Sequence, residues 1–172
     1  MKDLTQEEVK ELFWYRRGHL YWRPRSEDQF RTYLAFTMWN KRYANQKAGC
    51  ANVRGYVKIA IQKKSHLAHR LIWLYHHGWL PEALDHINNK PWDNRICNLR
   101  PATRTENRWN SRTLRETTTN VKGVYRRPNG MYETHVMAYG KRYYLGRFAR
   151  KSDAIKRVRE AREALHKEFA RD

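Results

Sequence analysis

The chain has 172 residues, with 36 Lys and Arg against 17 Asp and Glu, a formal net charge of +19. An excess this large repels itself unless a polyanion neutralises it, which points to nucleic acid ahead of a membrane surface. An aromatic share of 13% argues against disorder, no apolar run reaches the roughly 18 residues of a membrane span, and the acidic start MKDLTQEEVKEL does not read as a signal peptide.

In chain order, residues 3–12 predict a short helix, with Thr5 as cap and Glu8 at the spacing of a capping box. RGHLYWRPR (17–25) reads as a turn and then a short strand. Residues 26–48 are polar and aromatic without a clear period. GYVKIAIQ (55–62) alternates Val57, Ile59 and Ile61 with Tyr56, Lys58 and Ala60, a strand pattern. From Ala68 to His77, Leu71, Ile72 and Tyr75 fall at helical spacing, and Gly78 followed by Pro81 ends the helix. ALDHI and NLRPA read as two short strands separated by a polar loop, residues 87–97. Thr103 or Thr105 then caps another helix, with Asn107 in its first turn.

The polar, threonine-rich stretch RETTTNVKG (115–123) reads as a linker. Beyond it GVYRR, MYETHVMA and RYYLGRF predict three strands, with turns at Pro128 to Gly130 and Tyr139 to Lys141. Ser152 or Asp153 caps a final helix reaching Phe169, with Ala154, Val158, Ala161 and Leu165 as its apolar stripe. Residues 121–172 hold 14 basic and 6 acidic residues, net +8, which leaves +11 for residues 1–120. Both halves are therefore equipped to meet phosphate. The expected class is α+β. The expected division is a basic, aromatic DNA-contacting region over 1–54, a core over 55–114, a linker over 115–122 and a small domain over 123–172.

Chemistry concentrates in LDHINNKPWDNRICNLRPATRTENRWN (84–110). Phosphodiester cleavage needs a base for water and a cation on the developing charge. A carboxylate such as Asp85 is a hard ligand suited to magnesium or manganese, and imidazole, present as His86, is the side-chain type that titrates nearest neutrality. Asn98 and Asn107 offer amide oxygens, one to hold the imidazole and one as a neutral metal ligand. Arg95, Arg100 and Arg104 are candidate phosphate clamps, weighed against solvated surface charge. His66, His69, His76 and His77 have no cysteine partner and do not make a zinc site; His69 is read as packing or bonding near the site. Cys50 and Cys97, 47 positions apart and without a CxxC pattern, read as buried or idle thiols of a reducing compartment, the cytoplasm.

The stretch from AHRLIWLYHHGW through DH, DNR, NLR and EN resembles the HNH homing-endonuclease group, over about residues 55–112. That resemblance implies a ββα-metal fold that cuts DNA with one divalent ion. It implies His86 as general base, Asn98 as the residue orienting it, and Asp85 and Asn107 as metal ligands. Asn107 stands where many members have histidine, which favours magnesium or manganese over zinc. Asn94 is read as shaping the loop.

The C-terminal stretch KGVYRRPNGMYETHVMAYGKRYYLGRF, followed by DAIKRVREAREALHKEF, resembles the AP2 DNA-binding domain. Its members lay a three-stranded sheet in the major groove and back it with a helix. Here Val124, Val136, Ala138, Tyr143 and Leu145 would meet the helix, and Tyr125, Arg127, His135, Met137, Arg142 and Tyr144 would face DNA. Tyr125 replaces a usual arginine and Asn129 a usual aromatic, so no target sequence carries over.

The reading is a metal-dependent endonuclease for double-stranded DNA, of phage or mobile-element type, acting in the host cytoplasm. It is expected to be a monomer or weak dimer, with no membrane partner and no small-molecule cofactor. The alternatives are a non-catalytic AP2-type regulator with a relic HNH fold, and an RNA-binding protein, which leaves the Asp85, His86, Asn98, Asn107 set unexplained.

Overall fold

The computed structural model describes residues 4–110, 119–166 and 169, with the side chains of Arg108 and Asn110 excepted. The chain divides into two compact units, residues 1–101 and 102–172.

The first unit opens with α1 (Gln6–Leu12), closed by the expected capping box: Glu8 N–H donates to Thr5 Oγ1 at 3.2 Å and Thr5 N–H to Glu8 Oε2 at 2.8 Å. A hairpin follows, β1 (Phe13–Arg16) paired antiparallel with β2 (His19–Trp22). Next comes α2 (Tyr33–Tyr43), capped by Thr32. It buries none of its residues fully and is held by rings, with Trp39 against Trp22, Phe30 and Tyr43 at 5.4–6.0 Å. Aromatic packing without an apolar stripe is why residues 26–48 showed no period.

Strands β3 (Cys50–Ala51), β4 (Val57–Ile61) and β5 (Lys64–Leu67) form an antiparallel sheet in that order. β4 buries Val57, Ile59 and Ile61 and exposes Lys58 and Ala60, the alternation its sequence requires. The helix α3 (Ala68–His77) ends at Gly78, whose φ of 76° is the left-handed cap that glycine adopts without strain. It contributes Leu71, Ile72, Trp73 and Leu74 to the core. Last in this unit is a two-stranded sheet of β6 (Ala83–His86) and β7 (Leu99–Ala102).

One core runs through the unit. Val9, Phe13, Leu20 and Ala48 are buried in the same cluster as Ile59, Ile72, Leu84 and Leu99. Residues 4–54 thus share one core with the elements that follow them, where the sequence division had set 1–54 apart as a region of its own. The physical reason is area: two small sheets and α3 close one core only with the added apolar surface of Val9, Phe13 and Leu20.

The second unit begins at Ala102 and contains α4 (Arg104–Asn110), which the sequence division had placed with the nuclease core. Thr103 caps it: Glu106 N–H donates to Thr103 Oγ1 at 3.2 Å and Thr103 N–H to Glu106 Oε2 at 2.7 Å. Residues 115–118 of the expected linker lie outside the described residues. Thr119 is buried and donates to the Val124 carbonyl at 2.6 Å, so the end of that stretch is packed. Three antiparallel strands follow, β8 (Val124–Arg126), β9 (Tyr132–Ala138) and β10 (Lys141–Phe148), with β9 in the centre.

Helix α5 (Lys151–His166) covers one face of that sheet. Val124, Val136, Ala154, Val158 and Ala161 make the core between them, as the stripe predicts. The helix starts one residue before the expected caps. Ala154 N–H donates to the Arg150 carbonyl at 3.3 Å, and Ser152 and Asp153 lie inside the first turn. Residues 167 and 168, in the stretch expected to carry the helix to Phe169, lie outside the described residues. The α+β class stands.

Because Phe13 is fully buried in the core it shares with Ile59 and Ile72, Phe13→Ala should cost about 3–5 kcal/mol. The measurement is urea unfolding with hydrogen exchange on the amides of β4. Protection there should fall with global stability, whereas a separate N-terminal region would leave β4 protection unchanged.

Candidate functional site

Asp85 and His86 end β6, and both are buried. The sequence after them, INNKPWDNR, is a polar loop with no apolar period. It is fixed by side-chain bonds that replace a strand ladder. Asn98 accepts from Asn88 N–H at 3.1 Å and donates to Asn88 Oδ1 at 3.0 Å and to the Asp93 carbonyl at 2.7 Å. Asp93 takes Asn88 Nδ2 at 2.7 Å and Arg95 through two bonds of 2.8 and 2.7 Å. The Arg95 guanidinium, the first cause, holds the Asp93 carboxyl well below the usual carboxylate range.

The N-terminal hairpin braces the loop from its other side. Ile96 N–H donates to Tyr15 Oη at 3.2 Å. Gly18, at φ +84°, passes so close to Asn94 and Arg95 that a Cβ there would stand 2.8 Å from Arg95 N. Glycine is required on both counts.

The loop delivers Asn94, which is 1% exposed, to the imidazole: His86 Nε2 lies 2.9 Å from Asn94 Oδ1. An amide oxygen only accepts, so Nε2 carries the proton and Nδ1 is the basic nitrogen of the neutral ring. The contact expected of Asn98 is therefore made by Asn94, while Asn98 holds the loop that carries Asn94. The sequence put these two asparagines the other way round. Spacing fixes how many residues lie between β6 and β7 but not which amide turns inward.

His69, on the first turn of α3, stands edge-on to His86 with ring centroids 5.0 Å apart, and Tyr56 lies 5.8 and 6.0 Å from the two rings. Burial first, then the neighbouring His86 and Arg70, push His69 down to about 3, so it is a neutral wall at working pH. Asp85 is held by Arg100, whose Nε and a terminal nitrogen lie 2.9 and 2.8 Å from Oδ2. Of the expected phosphate clamps, Arg100 is 14% exposed and ion-paired, and Arg95 is exposed but committed to Asp93.

Among the described residues no group of three or more His, Cys, Asp or Glu gathers as a metal cluster. The expected donor set is one carboxylate and one amide, outside any such group. Asp85 fits a hard cation on its own evidence, since it is a buried oxygen donor that already accepts a positive group at 2.8 Å. Cys50 and Cys97 are both exposed and free, so the buried alternative expected for them does not hold.

In the second unit Arg104, Tyr125, His135 and Arg142, all expected to meet nucleic acid, line one cavity of about 380 Å³ together with Lys122 and Arg162. Arg127 and Tyr144 lie on the outer face of the sheet with 51% side-chain and 58% overall exposure. The residue that sequence reasoning missed is Glu133, buried on β9 and bonded to Arg127, His135 and Arg147. A lone acid among basic and aromatic strand residues was its only signal.

With this geometry in hand, the comparisons with known proteins are specific. The family described as HNH endonuclease matches residues 66–109. Protein 3.8 of Escherichia phage T7 is 30% identical over 106 residues, 60% of this chain and 87% of that protein. The chain belongs to the HNH endonuclease family. The HNH match takes in Asp85, His86, Asn94, Asn98, Arg100 and Asn107, and it places the chain among nucleases of DNA that typically use a divalent metal ion. No solved structure matches the chain.

Two replacements separate the asparagines. Asn98→Ala removes three bonds, and loop protection in hydrogen exchange should collapse from Asn88 to Asp93. Asn94→Ala should leave that protection in place and instead shift the His86 ring ¹⁵N signals, because Nε2 loses its acceptor. Equal loop protection in both variants would contradict this division.

Carboxylate Glu133 supplies a pH test for the second unit. Arg127 first, then His135 and Arg147, hold it down to about 2 against an ordinary 4.5. Its contribution is complete above about pH 4.5 and disappears as pH falls through about 2, the folded-state value. Acid titration followed by exchange of β9 and β10 amides should show that loss in wild type and a flatter profile in Glu133→Gln.

Proposed function

We propose that this HNH protein is a metal-dependent endonuclease that nicks double-stranded DNA at preferred sites, with His86 as general base. The observation that carries the reading is the buried bond from His86 Nε2 to Asn94 Oδ1, beside the buried carboxylate of Asp85. It fixes the tautomer in which Nδ1 takes the proton of an attacking water. His69 and Tyr56 wall the ring, and Asn98 keeps the loop closed behind it. Asp85 is the proposed holder of one magnesium or manganese ion, through the oxygen atoms that a hard cation prefers. When bound, that ion supplies positive charge for the leaving 3′ oxygen, so the products carry 5′-phosphate and 3′-hydroxyl ends.

Binding is assigned to the rest of the chain. The net +19 supplies phosphate attraction. The sheet of the second unit, on its AP2-like pattern, is the reader of the duplex through Tyr125, Arg127, His135, Arg142 and Tyr144, and Arg104 adds a phosphate contact. One such site per chain suits a monomer or weak dimer that nicks one strand per event. The relationship to protein 3.8 of phage T7 supports a phage-type protein working in the host cytoplasm.

The test is supercoiled plasmid incubated with protein and magnesium or manganese, with and without chelator. Wild type should convert supercoiled to open-circular plasmid only with metal. His86→Ala should lose about 10²-fold or more in nicking rate with gel-shift affinity within a few fold, because many phosphate contacts carry the binding. Asp85→Ala should be inactive. Nicking by His86→Ala above roughly a tenth of the wild-type rate removes it as the base.

A further inference from the structure

Glu133 sits at the middle of the sheet of the second unit. It lies on the central strand, with Tyr125 opposite it on β8 and Arg147 opposite it on β10. By strand alternation it shares a face of β9 with His135, opposite the face that carries Val136 into the core. A carboxylate in that place repels phosphate, yet it is 4% exposed and fully engaged. Arg127 donates to both of its oxygens, at 3.1 Å from Nε and 2.5 Å from a terminal nitrogen. Arg147 Nε donates at 3.1 Å and His135 Nε2 lies at 2.8 Å. Both arginines nevertheless keep more than half of their side-chain surface open, 51% and 58%. Each guanidinium therefore presents its remaining N–H groups outward from a fixed base.

We propose that Glu133 is a specificity-determining positioning residue: it locks Arg127 and Arg147 into one array of donors aimed at base edges, at the expense of raw affinity for phosphate. This rests on the reading of the sheet as the DNA-reading face. The chemistry favours it over a stabilising role alone. A guanidinium fork recognises the paired acceptors of a guanine edge only if its plane is set beforehand, whereas phosphate attraction needs no such order. An unheld arginine on an exposed strand samples many rotamers and finds the nearest phosphate. A carboxylate holding two arginines through their Nε edges selects base reading and cancels one positive charge of the face.

The experiment uses the full chain and two probes, a duplex selected by wild-type protein from a random pool and a random-sequence duplex of the same length. Affinity for each is measured at several salt concentrations. Glu133→Gln should bind the random duplex as tightly as wild type or more so, with a salt slope steeper by about one unit. Its preference for the selected duplex should fall tenfold or more, and Glu133→Asp should restore part of it. If Glu133→Gln folds but keeps the wild-type preference while Arg127→Ala with Arg147→Ala loses it, the sheet reads DNA and the proposal is wrong. If the double arginine variant matches wild type in affinity, slope and preference, the reading of the sheet itself has failed. Should Glu133→Gln not fold, Arg147→Lys decides: it keeps the charge and loses the fork, so preference should fall at unchanged salt slope, and an unchanged preference overturns the proposal.

Discussion

Everything around His86 depends on a polar loop that has no ladder to hold it. Between β6 and β7 the backbone leaves the sheet, and buried amides without partners cost free energy comparable to a lost hydrogen bond each. Asn98 answers that with one side chain. Its oxygen takes Asn88 N–H, and its nitrogen reaches Asn88 Oδ1 and the Asp93 carbonyl. The loop closes on itself around this amide. Only because it closes does Asn94 arrive at 2.9 Å from the imidazole. The imidazole is positioned by a neighbour that is itself positioned, and the order of dependence runs from Asn98 to Asn94 to His86.

The same constraint explains why residues 1–54 belong to this unit. A self-closed polar loop still needs a wall. The turn of the first hairpin supplies one through Gly18, and Tyr15 supplies a hydroxyl for Ile96 N–H. Nothing in the hairpin's own sequence announces this, because a tyrosine hydroxyl reaching 81 positions along the chain leaves no periodic trace. Short-range signals were legible: the Thr5 and Glu8 box, the alternation of β4, the glycine after α3, the strands around DH and NLR. The contacts of Asn94, the placement of residues 26–48 and the unit to which α4 belongs were not. Each of these is decided by long-range packing, which sequence periodicity does not encode.

The second unit shows the same limit from another direction. Its three strands, its turns and the stripe of α5 follow from local pattern, whereas Glu133 and Arg147 were missing from the outer-face residues read there. What those residues do to one another does not follow from local pattern. Arg127 and Arg147 are 20 positions apart and become a pair only through the register that sets Glu133 opposite Arg147 and the turn that brings Arg127 back to the same carboxylate.

Charge ties the two units together as a problem in chemistry. In a chain with 36 basic and 17 acidic residues, a carboxylate that is buried gives up solvation amid an excess of cations. Among the described residues two acids are buried, Asp85 and Glu133, and each is held by arginine. Desolvation offsets part of the attraction in each case. The partners also fix geometry. Arg100 holds the Asp85 carboxylate in place one residue from His86, and Glu133 with its two arginines sets the direction of donors on an open face. Cations are plentiful on this chain and serve attraction. The few buried acids hold particular cations in place, and the direction in which those cations point follows from the acids rather than from the overall charge.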